Sequence, residues 1–259
     1  MTIHTLTYPP GQTLSYAEYG DPNGFPILIQ HGMVASIRAG ERNLFQRLID
    51  TGGRVICPAR PGYGASSPYP MADVGEWGRI VSALVDGLGL AQFDVLGISS
   101  GAPYAYAIAA ALPERVRNVF IISGTPALFD DHVRACWPYP VDTHASLSEM
   151  QRLAWEIFFS HLSQDELEQD DIRDSMMNDC FGPGLDLKIR VLDWGFRLAD
   201  IQAEVCMRHS RTDDAVPWTT AQITAGMLPN CRFETRENEV HFSQEVLDDF
   251  IRTAMAGWY

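Results

Sequence analysis

Short apolar runs, parted by segments whose apolar residues recur at helical spacing, leave this chain few architectures. PILIQHG (26–32), RVICPA (54–59), FDVLGIS (93–99), VRNVFIISG (116–124) and VCMRHS (205–210) read as strands. Between them Leu44, Phe45, Leu48 and Ile49 keep a helical period, as do Val74, Trp77, Val81, Leu84, Val85 and Leu88. Strands that alternate with helices imply a mostly parallel sheet covered by helices on both faces. Upstream, the stretch from Leu14 to Gly20 runs into the turn signal GDPNG before Phe25. The first thirty residues therefore read as an antiparallel pair, and the expected class is α/β with a mixed sheet.

The alternation lapses between Thr125 and about Ile201, where the pattern is helical and no buried strand reads through. A helical cap inserted at 126–200, between core segments 1–125 and 201–259, is expected. Ser146 with Glu149, and Ser163 with Glu166, have the spacing of capping boxes and mark two helix starts there. The acidic run from Asp165 to Asp174 reads as a solvated helix face. After Val205 strand and helix resume through WTTAQITAGML, CRFETRE and SQEVLDDFIRTAM.

Charge narrows the function. Nineteen Lys and Arg face thirty-three Asp and Glu, for a net charge of -14, which repels a phosphate backbone and an anionic lipid surface. Neither nucleic acid nor membrane is expected as a partner. The five cysteines form no C-x-x-C pair and no metal-finger spacing, so a reduced, cytoplasmic chain without a bound metal is expected. No basic region followed by an apolar stretch marks a signal peptide, and no window of eighteen apolar residues marks a membrane span. Phosphate cradles of the G-x-x-x-x-G-K or G-x-G-x-x-G kind are missing as well, so no nucleotide cofactor is expected.

Gly97-Ile98-Ser99-Ser100-Gly101 sits where the strand FDVLGI gives way to the small-residue helix GAPYAYAIAAAL. A sharp turn there puts Ser99 in a strained position, and glycines two residues to either side leave room where strand and helix cross. A lone hydroxyl is a poor nucleophile, so Ser99 needs a histidine base and an acid to orient it. His241 lies between CRFETRE and the last amphipathic helix, and Asp213 lies just past VCMRHS, with Asp214 as its rival. Serine, acid, histidine is the order of one triad arrangement among several.

These residues, with His31-Gly32, the loop Arg60-Pro-Gly-Tyr-Gly-Ala-Ser66, Pro113-Glu-Arg-Val116 and the Asp213-x-x-Val-Pro217 spacing, make the chain resemble the α/β-hydrolase superfamily, in its capped esterase-like and peptidase-like branch. The resemblance covers nearly the whole length, and the Asp-x-x-Val-Pro spacing favours Asp213 over Asp214. It implies that the backbone N–H groups of Met33 and Ser100 receive the oxyanion, and a helix start at Ser100 suits that charge on physical grounds. It implies hydrolysis of a small or medium, partly apolar ester through Ser99, His241 and Asp213, with no cofactor. On such a scaffold an N-terminal proline peptidase, a carbon–carbon bond hydrolase, cofactor-free peroxidation and a slow-turnover ligand receptor are the alternatives. The chain departs from the family pattern at Ala59, where Asp is usual, and at Val240 and Ser210, where Gly is usual. His31 is expected to support the oxyanion loop at the pocket wall, and Trp137, Trp155, Phe158 and Phe159 to line the substrate pocket under the cap. Oligomeric state has no signal in the sequence.

Overall fold

A computed structural model describes residues 2–8, 11–38 and 43–255, so the chain ends at Met1 and at 256–259 lie outside the described residues. An antiparallel pair does open the chain, β1 (Thr2–Tyr8) with β2 (Gln12–Gly20), but the GDPNG turn follows β2 and leads to a strand with which β2 does not pair. Six further strands follow: β3 (Phe25–Gln30), β4 (Gly53–Pro58), β5 (Phe93–Ile98), β6 (Val116–Ile122), β7 (Glu204–Ser210) and β8 (Cys231–Arg236). Their order across the sheet is β1-β2-β4-β3-β5-β6-β7-β8. β2 meets β4 antiparallel, and every pairing from β4 through β8 is parallel. The sheet is thus mixed, with the antiparallel part at one edge.

Side chains of a strand alternate between faces, and here both faces are apolar. Leu28, Ile56, Val95, Val119, Val205 and Met207 pack on one side with α2 (Glu76–Gly87), α3 (Ala102–Ala111) and α8 (Trp218–Ala225). Ile27, Ile29, Val55, Leu96, Phe120 and Cys206 pack on the other with α1 (Gln46–Asp50) and α9 (Gln244–Ala254).

Between β6 and β7 the chain leaves the sheet through α4 (Asp131–Ala135), α5 (Leu147–Phe158), α6 (Gln164–Leu167) and α7 (Asp170–Ile189). Both capping boxes form: Ser146 and Ser163 accept from the N–H groups of Glu149 and Glu166, whose carboxylates reach back. Both ends of this segment join the main core, through Ala127, Leu128 and Val133 at one end and Leu185, Ile189, Trp194 and Leu198 at the other. Its middle forms a small cluster of its own, Ala154, Phe159, Cys180 and Leu187, closed below by Met33. α7 is not continuous: Met177 is extended, and Asn178, Asp179 and Cys180 take positive φ of 54°, 57° and 59°. Both halves meet the loops of the sheet: Asp174 and Ser175 before the break bond Ser36, Gly64 and Ala35, and Asp186 after it pairs with Arg60.

Candidate active site

The parallel strands β3, β5 and β7 end on the same side of the sheet, and the loops after them carry the polar side chains that meet there. Ser99 follows β5 directly with φ of +50°, in the left-handed region that costs a non-glycine residue about 1–3 kcal/mol. The glycines of the turn are where the crossing is tightest. A Cβ on Gly97 would stand 2.8 Å from Ile121 Cδ1, and one on Gly101 would stand 2.0 Å from the carbonyl oxygen of Gln30. Backbone meets backbone at Gly101, so no side chain can yield there.

His241 lies on the loop between β8 and α9, with Nε2 2.9 Å from Ser99 Oγ. Its Nδ1 is 2.9 and 3.0 Å from the two carboxylate oxygens of Asp213. Since a carboxylate only accepts, Nδ1–H donates to Asp213, and Nε2 is left to accept the Ser99 hydroxyl. Asp213 is fixed in turn by the N–H groups of Ala215 and Val216, at 2.9 and 2.8 Å from Oδ1. Burial raises its carboxyl, but hydrogen bonds from His241 and Val216, with two nearby imidazoles, outweigh that and hold it below the usual carboxylate value. Asp214 is exposed and offers its backbone carbonyl to the Tyr139 hydroxyl at 3.2 Å. Of the two aspartates, the one that meets the imidazole is Asp213.

Met33 and Ser100 are both buried beside Ser99 in the wall of one cavity. Ser100 lies in the single tight turn (Ser99–Gly101) that leads into α3, so its N–H is at the positive end of a helix. The loop bearing Met33 is held from below by a buried network that single-sequence reading does not reveal. Arg60, fully buried, donates to the carbonyls of His31 and Gly32 at 2.6 and 2.9 Å and forms an ion pair with Asp186 at 2.7 Å. The hydroxyls of Tyr63 and Tyr104 donate to the same carboxylate at 2.8 and 2.5 Å, and Tyr63 also reaches the Met33 carbonyl at 2.9 Å. A hint does stand in the sequence, since an arginine between Ala59 and Pro61 at the end of an apolar strand is an odd neighbour for a core.

His31 lies in the wall of the same cavity. Burial and the adjacent Arg60 charge push its pKa well below that of a free imidazole, so the ring is neutral. It accepts the Arg60 N–H on Nε2 at 3.2 Å and donates from Nδ1 to the Gly32 carbonyl at 2.9 Å. At Ala59, where the family pattern has Asp, the loop is anchored instead by serines: Ser66 Oγ donates to the Ala59 carbonyl at 2.7 Å and accepts the Ser15 N–H at 2.9 Å. Val240 is 59% exposed and stands clear of the imidazole's contacts. A residue beside the Ser210 departure matters more: His209 is fully buried, and its Nε2 lies 2.8 Å from the Val216 carbonyl and 3.3 Å from Asp213 Oδ2. The sequence marks it only as the residue before Ser210, with no role assigned.

The cavity above Ser99 measures about 840 Å³ and is walled chiefly by apolar side chains. His31, Met33, Ser100, Trp137 and Phe158 line it. Trp155 and Phe159 do not: Trp155 is 42% exposed, and Phe159, at 1%, is packed in the small cluster of the covering segment. The helix phase explains the difference. Ala154 and Phe158 lie four residues apart on the buried face of α5, Leu153 and Ile157 flank them at the cavity, and Trp155 falls on the opposite side. The acidic run is also not a uniformly solvated face, because Asp174 accepts the Ser36 hydroxyl at 2.5 Å and Asp171 borders the cavity. Among the described residues, no cluster of three or more His, Cys, Asp and Glu could hold a metal ion, and no helix is long and apolar enough to cross a membrane.

Comparison with known proteins agrees with this architecture. The profile of the alpha/beta hydrolase fold family matches residues 26–246. The uncharacterized hydrolase YcgS of Bacillus subtilis is 31% identical over 153 residues, a match that takes in 57% of this chain and 48% of that protein, so the chain spans about half the length of this relative. A 2-hydroxymuconate semialdehyde hydrolase of Pseudomonas putida is 25% identical over 241 residues, covering 85% of this chain and 82% of the relative. Among solved structures, an esterase from Exiguobacterium antarcticum superposes with a TM-score of 0.70 at 18% identity, over 96% of this chain and 99% of that one, which is a likeness of fold.

Proposed function

The chain belongs to the alpha/beta hydrolase fold family, and from that premise we propose that it is a serine hydrolase acting on a small or medium, partly apolar ester through Ser99, His241 and Asp213. The observation that carries the proposal is the unbroken hydrogen-bonded line from Ser99 Oγ through the His241 ring to Asp213, at 2.9 Å on either side of the imidazole. It opens on a cavity with an apolar wall.

Ser99 Oγ attacks the ester carbonyl carbon as His241 Nε2 takes its proton, and the charge passing to the carbonyl oxygen is met by the N–H groups of Met33 and Ser100. Collapse of the tetrahedral adduct breaks the bond to the alcohol, which leaves with the proton from Nε2. Water then attacks the acyl-serine, giving its proton to His241, and the second collapse returns that proton to Ser99 and frees the acid. Asp213 keeps Nδ1 protonated throughout. On this reading the segment 126–200 acts as a cap that shapes the acyl pocket.

A fluorophosphonate probe read by intact mass tests the assignment: one label is expected on the wild type and none on Ser99→Ala. Labelling that persists in the variant refutes the nucleophile. Cleavage of a carbon–carbon bond is the second reading, favoured by the long match to a 2-hydroxymuconate semialdehyde hydrolase. The two part on steady turnover, ester panels serving the first and 2-hydroxymuconate semialdehyde the second.

A further inference from the structure

One cation in the cavity wall has no task in the ester chemistry. Arg190, just past α7, lines the cavity with its Cζ 5.8 Å from the centre of the Trp137 ring. Its Nε is buried and finds no hydrogen-bond partner among the described residues. The carboxylate that acts on it is Asp186, and that group is already engaged, by Arg60 Nε and Nη2 at 3.3 and 2.7 Å and by the hydroxyls of Tyr63 and Tyr104 at 2.8 and 2.5 Å. Arg60 thus holds the Asp186 carboxylate directly, whereas Arg190 makes no ion pair with it and feels it only at longer range. Asp171 also borders the cavity, but the groups acting on Arg190 are Asp186, Tyr104 and Tyr63. Burial, outweighing those three, lowers the Arg190 pKa to about 10, which still leaves it charged at neutral pH. A cation set in an apolar wall without its own anion is costly, and the cost is recovered when a ligand supplies one. Guanidinium is suited to a carboxylate, whose two oxygens match its fork.

Building on the Ser99 reading, we propose that the cavity selects substrates bearing a carboxylate, which Arg190 receives over the face of Trp137 while the scissile carbonyl lies at Ser99. The rest of the wall, with Leu153, Phe158 and Leu187, takes the apolar part between the two ends. The favoured substrate is a half-ester of a dicarboxylic acid or an ester of comparable charge.

The decisive comparison sets p-nitrophenyl hemisuccinate and hemiglutarate beside the corresponding primary amides, p-nitrophenyl succinamate and glutaramate, which match them in length but lack the charge. In the wild type kcat/KM should favour the free acid by at least about tenfold, as a charge-assisted pair supplies. Arg190→Gln should lower that ratio by about 10- to 100-fold, and Arg190→Lys should keep part of it. A wild-type ratio at or below one overturns the proposal without any variant, as does an unchanged ratio in a folded Arg190→Gln. A second arm does not depend on turnover: binding of valerate and of valeramide to Ser99→Ala is measured by calorimetry. Valerate should bind at least about tenfold more tightly, and equal affinity overturns the proposal. Loss of probe labelling and of all ester turnover would strike the Ser99 reading, whereas turnover of neutral esters with no preference for the acid would strike only the role of Arg190.

Discussion

Acid should weaken this fold well before its carboxylates titrate, and His209 is the place to measure why. Burial lowers the pKa of both His31 and His209 below that of a free imidazole, against which the Val216 and Asp213 contacts of His209 act only in part. Both rings are neutral in the fold and protonate in the unfolded chain as pH drops through about 6.5. The sign follows: the unfolded state binds more protons, so stability is complete above about pH 7.5 and declines as pH falls toward the folded-state values. Each ring that stays neutral while its unfolded counterpart charges contributes up to about 1.4 kcal/mol between pH 7.5 and 5.5, so the pair contributes up to about 2.7 kcal/mol. His209→Gln removes one titration while its side-chain amide can still donate to the Val216 carbonyl. Glu239, whose carboxyl burial raises, acts in the opposite sense but is common to both proteins and cancels in the difference. Urea unfolding followed by tryptophan fluorescence at pH 7.5, 6.5 and 5.5 gives the slopes, provided m stays constant. The variant should lose up to about 1.4 kcal/mol less than wild type over that range. Equal slopes would refute the assignment of His209 as neutral, and a flat wild-type curve would refute it for both rings.

Asp213→Asn should lower kcat by about 10⁴ through loss of the correct imidazole tautomer, while Asp214→Asn costs far less; steady-state rates on an activated ester rank the two, and the reverse order would move the acid to Asp214. Gly101→Ala should destabilise by about 3 kcal/mol, because its methyl would meet the Gln30 carbonyl at 2.0 Å and backbone must move; a urea midpoint equal to wild type would contradict the packing at the turn. Phe158→Ala should change the preferred acyl chain length, with each methylene gained or lost changing binding by about 1 to 3 kcal/mol, whereas the exposed Trp155→Ala should leave the preference flat; an ester series run on both variants checks the helix phase.

What could be read in advance follows from how far apart the determinants lie. The strands announce themselves because each is a local apolar run, and the helix starts at Ser146 and Ser163 because a capping box needs four consecutive residues. The turn at Ser99 is equally local: Gly97, Ser99 and Gly101 carry the steric argument by themselves. Asp213 and His241 are legible through their place after β7 and β8, and the choice of Asp213 over Asp214 rests on the Asp-x-x-Val-Pro spacing of the family resemblance. The break in α7 is not, since Asn178, Asp179 and Cys180 hold left-handed conformations that tertiary packing selects and that no glycine announces. Nor is the facing of α5, whose apolar residues fall on more than one side, so that Trp155, expected at the pocket, is exposed while Leu153 lines the cavity. Arg60 and His209 escape for the same reason, as each matters through partners far along the chain or across a loop.

The Asp186 carboxylate also says something about the order in which the molecule comes together. Its donors stand 126, 123 and 82 residues upstream, in Arg60, Tyr63 and Tyr104, so the contacts close some of the widest loops in the chain. Brought into apolar surroundings before those donors are in place, the carboxylate would be an unpaired buried charge, which repels the very segment that carries it. The second half of α7 is thereby deterred from docking on an unfinished sheet and admitted to a finished one. A chain that has misplaced the segments bearing Arg60, Tyr63 or Tyr104 would thus lack what holds Asp186, and with it the floor of the cavity.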